Sequence, residues 1–276
     1  MIGAIIGDIV GSRFEWDNYR AKDFEFMTED CFPTDDSVMT ISLAKALMES
    51  GYGLADKSEL GTTDGADRID TQLVSDNAIR YMREIGTNYP HCGYGGRFFG
   101  WIFDEVPMPY NSYGNGSAMR VSAAGFAARN LEEAKALAKA VTEVTHNHPE
   151  GIKGAEATAV AIYMTRSGSS KDEIEDYINE FYYDIDFTLD DIRDTYQFNE
   201  SCQGTVPQAL EAFFEADSYE DAIRNAISIG GDSDTMAAIT GGIAEAYFGV
   251  PEKYFNAVEY FLDDDLWGIV KEWYNK

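Results

Sequence analysis

Gly230-Gly231-Asp232-Ser233-Asp234-Thr235 is the stretch around which we expect the fold to be organised. An apolar, helix-like run at 236–247 follows it directly. A second cluster, Thr34-Asp35-Asp36, stands near the other end of the chain and also precedes an apolar run, at 38–48. We predict that the two clusters meet in space, so that four carboxylates and two hydroxyls converge on one site. The two glycines fit this interpretation, since glycine permits tight or left-handed turns and close approach to a ligand.

A site of this composition favours divalent cations. Carboxylates packed together repel one another and resist ionisation, whereas Mg²⁺, Mn²⁺ and Ca²⁺ prefer carboxylate and hydroxyl oxygens as ligands. Four carboxylates would neutralise two such ions. The alternative is that each cluster is only a helix N-cap, where Asp, Ser and Thr are favoured and acidic groups offset the helix dipole. Either cluster taken alone leaves both interpretations open.

Composition restricts the possible partners. The chain has 276 residues, 45% of them apolar, and a net charge of −28. This charge argues against binding of nucleic-acid backbones and anionic membranes, although a nucleotide can still bind through N–H groups, helix N-termini or a metal. The three cysteines show no metal-type spacing, and no signal peptide or membrane-spanning run is recognisable. We therefore expect a cytoplasmic protein.

Helical periodicity recurs along the chain and predicts an all-α protein. No segment alternates like a strand and no linker divides the chain, so we predict a single domain over residues 1–276. Loops are predicted at 54–69, 93–96 and 111–117, the last preceding a helix whose N–H groups suit a phosphate. The predicted helices lie at 1–16, 38–50, 70–88, 130–145, 151–167, 170–183, 203–216, 218–229, 233–248 and 251–262.

Two single residues have competing interpretations. Glu15 stands between Phe14 and Trp16, which is typical of a surface carboxylate flanked by core aromatics or of a partly buried acid with a raised pKa. His146 lies in Thr145-His146-Asn147-His148, whose spacing does not match a helical zinc motif. It is either part of a hydrogen-bonding loop or cap, or a contact to a ligand oxygen.

Further motifs accompany the two acidic clusters in a fixed order. They are Gly3-Ala4-Ile5-Ile6-Gly7-Asp8 with Phe14-Glu15, then Gly93-Tyr94-Gly95, then Ser112-Tyr113-Gly114-Asn115-Gly116 with Ala118-Met119-Arg120, and Thr145-His146. With 34–36 and 230–235 they resemble the ADP-ribosylglycohydrolase family, whose members reverse arginine and serine ADP-ribosylation. The resemblance covers nearly the whole chain.

The resemblance implies a compact, orthogonal all-α bundle with two divalent cations, Mg²⁺ or alternatively Mn²⁺. It implies metal ligands at Thr34, Asp35, Asp36, Asp232, Asp234 and Thr235. It assigns catalysis to Glu15, Asp35 and Asp36. It assigns substrate binding to Gly93, Gly95, Ser112, Tyr113, Asn115, His146 and Ser233.

The implied activity is metal-dependent hydrolysis of the glycosidic bond between the distal ribose of ADP-ribose and a protein side chain or small acceptor. The expected partners are ADP-ribose and ADP-ribosylated proteins or small molecules, and we expect a monomer. The arginine-specific branch carries an aspartate in the loop that here reads Gly93-Tyr94-Gly95. The chain therefore resembles the serine-type or broader hydrolases at this point.

Three other functions are alternatives to this activity. The first is a catalytically silent ADP-ribose-binding or structural, crystallin-like relative. The second is a magnesium-dependent isoprenoid synthase, whose Asp-Asp-x-x-Asp motif is incomplete here because Met39 stands at the third acidic position. The third is a metal-dependent phosphohydrolase, which the total of three histidines disfavours.

Overall fold

The fold is described by a computed structural model for residues 1–62 and 69–275, and the regular structure within these residues is helical. Single 3-10 turns lie at Ser12–Phe14 and Lys57–Glu59. The helices are α1 (Ile2–Gly11), α2 (Asp35–Glu49), α3 (Thr71–Gly86), α4 (Gly96–Phe103), α5 (Gly116–Met119), α6 (Ser122–Ala127), α7 (Leu131–Thr142), α8 (Pro149–Arg166), α9 (Lys171–Phe181), α10 (Leu189–Ile192), α11 (Cys202–Phe214), α12 (Tyr219–Ile227), α13 (Ser233–Phe248), α14 (Glu252–Phe261) and α15 (Asp264–Asn275).

The predicted all-α class is confirmed, with differences at helix ends. The helix predicted at 1–16 stops at Gly11 and continues as the 3-10 turn, which releases Glu15 from the helix surface. Helix α7 ends at Thr142, three residues before the predicted end. Helix α4 was not predicted, because it opens within a glycine-rich loop and is too short to show helical periodicity. Part of the predicted loop at 54–69 lies outside the described residues.

A row of glycines brings α1 against α13. Gly3, Gly7 and Gly11 are spaced by four residues and therefore share one face of α1. A Cβ on Gly7 would overlap the carbonyl group of Ala237, and one on Gly11 would lie 2.5 Å from the Cα of Asp234. The two backbones thus touch, and the contact brings the C-terminal half of α1 against the acidic N-terminus of α13.

The other helices surround this pair. Helices α8, α11 and α12 pack on α13, and α2 packs on α1, α3 and α15. One hydrophobic cluster draws side chains from all fifteen described helices. This cluster supports the single domain proposed for residues 1–276. Within the described ranges, no helix has both the length and the apolar character needed to cross a membrane.

Candidate active site

The N-termini of α2 and α13 open into one cavity, whose floor carries both acidic clusters. Asp35, Asp36, Asp232, Asp234 and Thr235 all line this cavity. The hydroxyl of Thr235 donates to Asp36 Oδ2 at 3.3 Å, across 199 positions of sequence. The two clusters therefore lie together, and their oxygens face the same space.

Carboxylate oxygens converge in two overlapping groups on this floor. One oxygen each from Asp8, Asp36 and Asp234 lie within 4.8 Å of one another, and so do oxygens from Glu15, Asp232 and Asp234. Asp234 belongs to both groups. This arrangement has the donor chemistry of two neighbouring sites for hard cations.

Helix capping explains only part of the first cluster. Thr34 is the N-cap of α2, and its hydroxyl accepts a hydrogen bond from the Asp36 N–H at 3.3 Å. Asp232 occupies the same position on α13 but makes no capping bond with its side chain. Its Oδ2 instead accepts a hydrogen bond from Asn115 Nδ2 at 2.7 Å. The capping interpretation therefore does not account for the second cluster.

Asp8 is a site residue that the residue assignments above omit. Its fully buried carboxylate accepts hydrogen bonds from the Thr34 N–H (2.9 Å), the Thr34 hydroxyl (2.6 Å), the Ser37 N–H (3.0 Å) and the Ser37 hydroxyl. Burial raises the pKa of Asp8 to about 6, although these hydrogen bonds oppose the rise. Because both oxygens are already engaged, Asp8 holds the N-terminus of α2 in place. In the sequence, the only indication of this role was that Asp8 is the single acid in the otherwise apolar motif at 3–8.

Asp36 differs from Asp8 because one of its two carboxylate oxygens has no hydrogen-bond partner. Its Oδ1 is buried and accepts no hydrogen bond, which normally costs about 1–3 kcal/mol, and more for a charged group. Burial first, and then the charges of Asp8 and Asp35, raise the pKa of Asp36 well above its usual range. Burial and neighbouring carboxylates do the same for Asp234. An unpartnered oxygen among mutually repelling acids fits a bound cation.

Glu15 stands at the edge of this acidic floor and lines the cavity. Burial raises its pKa to about 7, and the charges of Asp232 and Asp8 add to the rise. The pKa of Asp35 is also raised to about 7, first by burial and then by the charges of Asp8 and Asp232. Glu15 is half-buried, so its carboxylate is reached from the cavity and is also sensitive to its acidic neighbours.

A second part of the cavity wall is basic and is built from buried groups. Arg120 is 1% exposed, and it donates to Thr145 Oγ1 (2.7 Å) and to His146 Nδ1 (3.2 Å). Burial, together with Arg120 and Arg97, lowers the pKa of His146 well below its usual value. Arginine only donates hydrogen bonds, so Nδ1 of the neutral ring is an acceptor and Nε2 carries the proton. The Nε2–H group is therefore free to donate into the cavity.

The structure places the other predicted substrate residues at different depths. Gly93 and Gly95 line the cavity, and Gly93 has a φ of +113° that brings its backbone against Asp35. Ser112 also lines it, with Oγ accepting from the Gly114 N–H at 3.1 Å. Asn115 is buried and is engaged with Asp232.

Two predicted substrate residues do not form the cavity wall. Tyr113 is 51% exposed and packs edge-on against His148, outside the set of lining residues. Ser233 is fully buried and donates to the Gly231 carbonyl at 3.3 Å. The Ser233 hydroxyl thus stabilises the turn before α13, which differs from the predicted contact with substrate.

Five more residues line the cavity without having been singled out from the sequence: Arg97, Phe98, Tyr110, Phe198 and Glu200. Arg97 lies over the Tyr110 ring at 4.8 Å and donates to its carbonyl group. Phe198 and Glu200 belong to a stretch without helix before α11. Only the aromatic and charged character of these positions, without a motif, could have indicated them.

Over the described residues the protein is all-α, and its cavity is lined both by the acidic floor and by the basic residues Arg97, Arg120 and His146. The chain belongs to the ADP-ribosylglycohydrolase family, because the model of that family matches residues 1–276. The family membership supports glycohydrolase activity toward ADP-ribosylated substrates.

Similarity to individual relatives is low but extends over most of the chain. The chain is 24% identical to human ADP-ribosylhydrolase ARH3 over 341 aligned residues, covering 96% of this chain and 90% of that protein. It is 23% identical to ADP-ribosylarginine hydrolase Tri1 of Serratia proteamaculans, covering 95% of this chain and 73% of that protein. A solved structure described as an ADP-ribosylglycohydrolase-related protein complex superposes with a TM-score of 0.66 at 20% identity, covering 99% of this chain and 95% of that one.

Proposed function

We propose that this protein hydrolyses the glycosidic bond between the distal ribose of ADP-ribose and an acceptor group, with two divalent cations bound at the acidic floor. The observation that carries the proposal is the meeting of two distant acidic clusters around the unpartnered Oδ1 of Asp36. The match of the whole chain to the family supports the same activity.

The floor residues fit the cations by charge and by donor type. The chain supplies carboxylates and two hydroxyls, which are the ligands that Mg²⁺ and Mn²⁺ prefer. When bound, the cations would orient the hydroxyls of the distal ribose and act as Lewis acids. The residues that would hold them are Thr34, Asp35, Asp36, Asp232, Asp234 and Thr235.

Two residues outside the proposed ligand set hold some of its members in place. Asp8 fixes the turn that carries Thr34 and Asp36, and Asn115 fixes Asp232 by a direct hydrogen bond. Such outer contacts are worth about 10–100-fold in metal affinity or activity when they are removed. We therefore propose that Asn115 positions Asp232, in addition to forming part of the cavity wall.

The basic wall binds the anionic part of the substrate. His146 Nε2–H and the Arg120 charge face the cavity beside the loop at 112–116, and both favour diphosphate or ribose oxygens. Arg120 also lies close enough to Asp35 and Asp36 for their charges to act on its guanidinium group.

Glu15 is the proposed general base. Its carboxylate accepts a proton from the water whose oxygen forms the new bond to the anomeric carbon, while the bond from that carbon to the acceptor breaks. The proton then returns to the acceptor as it leaves. Burial is the first cause that raises the pKa of Glu15, and a carboxylate with a raised pKa is a better proton acceptor.

The test combines binding and turnover. ADP-ribose is titrated into the protein by calorimetry in the presence of MgCl₂ and then with a chelator, and release of ADP-ribose from serine- and arginine-linked peptides is followed by mass spectrometry. We expect chelator-sensitive binding and release from one linkage. Binding that is indifferent to chelator would contradict the role of the cations.

The Glu15→Gln variant separates an enzyme from a silent binding protein. If Glu15 is the base, the variant still binds ADP-ribose but loses hydrolysis by roughly 10²–10⁴-fold. Unchanged turnover would remove Glu15 from the mechanism. A wild-type protein that binds ADP-ribose and releases none from either linkage would instead be the silent, crystallin-like relative.

A further inference from the structure

The side-chain amide of Asn115 is held by hydrogen bonds on two sides. Its Nδ2 donates to Asp232 Oδ2 at 2.7 Å and to Thr205 Oγ1 at 3.1 Å, so each of its two hydrogens has an acceptor. Thr205 lies fully buried in α11, and its hydroxyl donates to the Asn199 carbonyl oxygen at 2.8 Å. Because the single hydrogen of this hydroxyl is committed to Asn199, the Thr205 oxygen accepts from Asn115.

The bond to Thr205 decides which way the Asn115 amide points. The terminal torsion of asparagine is soft and roughly two-fold, so a hydrogen bond to Asp232 alone would leave the amide able to rotate. A rotated amide would turn its oxygen toward the Asp232 carboxylate, and both of these groups are acceptors. Asn115 and Asp232 are each 6% exposed, so little water reaches their contact. Thr205 therefore disfavours the orientation that would release Asp232.

The carbonyl that accepts from Thr205 is itself anchored on the first turn of α11. Asn199 Oδ1 accepts from the Ser201 N–H at 2.9 Å and from the Ser201 hydroxyl at 2.7 Å. The Asn199 amide also packs on Gly204, where an added Cβ would lie 2.3 Å from the Asn199 Cγ. The Tyr196 hydroxyl donates to the Gly204 carbonyl oxygen at 2.6 Å. The position of Thr205 and that of its acceptor are thus set by the same helix end.

We propose that Thr205 is a positioning residue that holds Asp232, through Asn115, as a ligand of the proposed cation site. The inference rests on the proposed function, because it requires Asp232 to be a cation ligand. Asp232 shares one of the two groups of converging carboxylate oxygens with Glu15 and Asp234. Thr205 lies behind the cavity wall and acts through Asn115, which forms part of that wall. Such outer partners are worth about 10–100-fold in metal affinity.

Thr205→Val tests this hydrogen bond directly, because valine keeps the branched shape of threonine and lacks the hydroxyl. Titration of the metal-free protein with MnCl₂ by calorimetry should show an affinity for Mn²⁺ about tenfold weaker than that of wild type. Thr205→Ser keeps the hydroxyl and should bind Mn²⁺ as wild type does. This readout does not depend on turnover.

Thr240→Val is the matched control. Thr240 is also fully buried and also donates to a backbone carbonyl at 2.8 Å, that of Ala209, but it does not contribute to the cavity wall. Both valine variants should melt at a lower temperature than wild type, since each loses a buried hydrogen bond. Only Thr205→Val should bind Mn²⁺ more weakly, because a role in stability alone would not change the affinity for the cation.

A double-mutant cycle tests whether Thr205 acts through Asn115. Asn115→Ala should weaken Mn²⁺ binding by itself. In the Asn115→Ala background, Thr205→Val should cause no further loss of affinity, because the amide that it orients is already absent. Losses that simply add would show that Thr205 acts on the floor by another route, and would overturn the inference.

The remaining outcomes separate this inference from the function on which it rests. Unchanged Mn²⁺ affinity in Thr205→Val, or an equal loss of affinity in Thr240→Val, would overturn the positioning role while leaving the cation site intact. Weak binding in Thr205→Ser, despite its hydroxyl, would also overturn it. A wild-type protein that binds no Mn²⁺ would overturn the cation-dependent function, and the role of Thr205 with it.

Discussion

The floor and the rim of the cavity are built in opposite ways. The floor, comprising Asp8, 34–36 and 232–235, is largely buried and is set by helix contacts and hydrogen bonds between distant positions. The rim, comprising Trp16, Tyr113, Phe198 and Glu200, is exposed and lies in stretches without helix. This difference leads us to assign the proposed chemistry to the floor and contacts with outer parts of the substrate to the rim.

The floor should show the largest effect on activity. Asp36→Asn removes one charge from the proposed cation site and weakens one proposed ligand, and Lewis-acid stabilisation is worth several kcal/mol, so hydrolysis should fall about 10³-fold. Without metal, the variant should be at least as stable as wild type, because an unpartnered buried carboxylate becomes neutral. Thermal unfolding with chelator and peptide turnover measure the two effects. Asp264→Asn, which alters an exposed acid, is the control.

A substitution within the glycine row should break the floor by displacing α1. Gly7→Ala forces a methyl group into the backbone of α13, and such overpacking costs about 1–3 kcal/mol or more. Gly100→Ala is the matched control, since Gly100 also lies in a helix but has nothing within 4 Å of an added Cβ. That change should stabilise the protein by about 0.5–1 kcal/mol. Equal free energies of unfolding in urea for the two variants would contradict the packing account.

On the rim, Tyr113 tests where the adenosine end lies. If its half-exposed ring stacks on adenine, Tyr113→Ala should weaken ADP-ribose binding about tenfold, since base stacking is worth roughly 1–3 kcal/mol. Tyr113→Phe retains the ring and should bind as wild type does. Calorimetry with ADP-ribose measures both variants. Equal affinities for wild type and Tyr113→Ala would place adenine elsewhere.

For the cation-loaded protein, the smallest expected effect is a pH dependence of stability, because this dependence belongs to the metal-free floor. In the folded, metal-free protein the pKa of Asp8 is about 6 and that of Asp35 about 7, above the value of about 3.9 for an unfolded chain. The folded state therefore binds more protons than the unfolded state between these values, and stability falls as pH rises from about 4 to 7. Melting temperatures in chelator should fall by several degrees across this window. Saturating Mg²⁺ should flatten the trend, and a rise in chelator would contradict the pKa assignments.

The same contrast explains how much the sequence could predict. The meeting of Asp36 with Asp234 could be predicted from donor chemistry, because a shared cation would offset the repulsion between acids at two helix N-termini. Asp8 lies inside an apolar helix, and only its hydrogen bonds to Thr34 and Ser37 reveal its role. Ser233 shares the motif of the metal ligands, yet helix geometry turns its side chain inward to the Gly231 carbonyl.

Rim residues were harder to predict because nothing local distinguishes them. Phe198 and Glu200 come from irregular backbone, where neither helical periodicity nor a motif indicates which side chains face the cavity. Their positions depend on contacts such as that of Tyr196 with the glycine turn, which join segments far apart along the chain. The observed helix ends differ from the predicted ones for a related reason, because capping and tertiary contacts decide at which residue a helix ends.

Diffraction from crystals grown with MnCl₂, recorded at the manganese absorption edge, tests the central claim most directly. The account predicts two anomalous peaks in the floor, one bonded to Asp36 Oδ1 and both shared among the carboxylates of 35–36 and 232–234. Asp36→Asn crystals should lose at least one peak. Manganese bound only elsewhere, or a floor that stays empty at saturating manganese, would contradict the account.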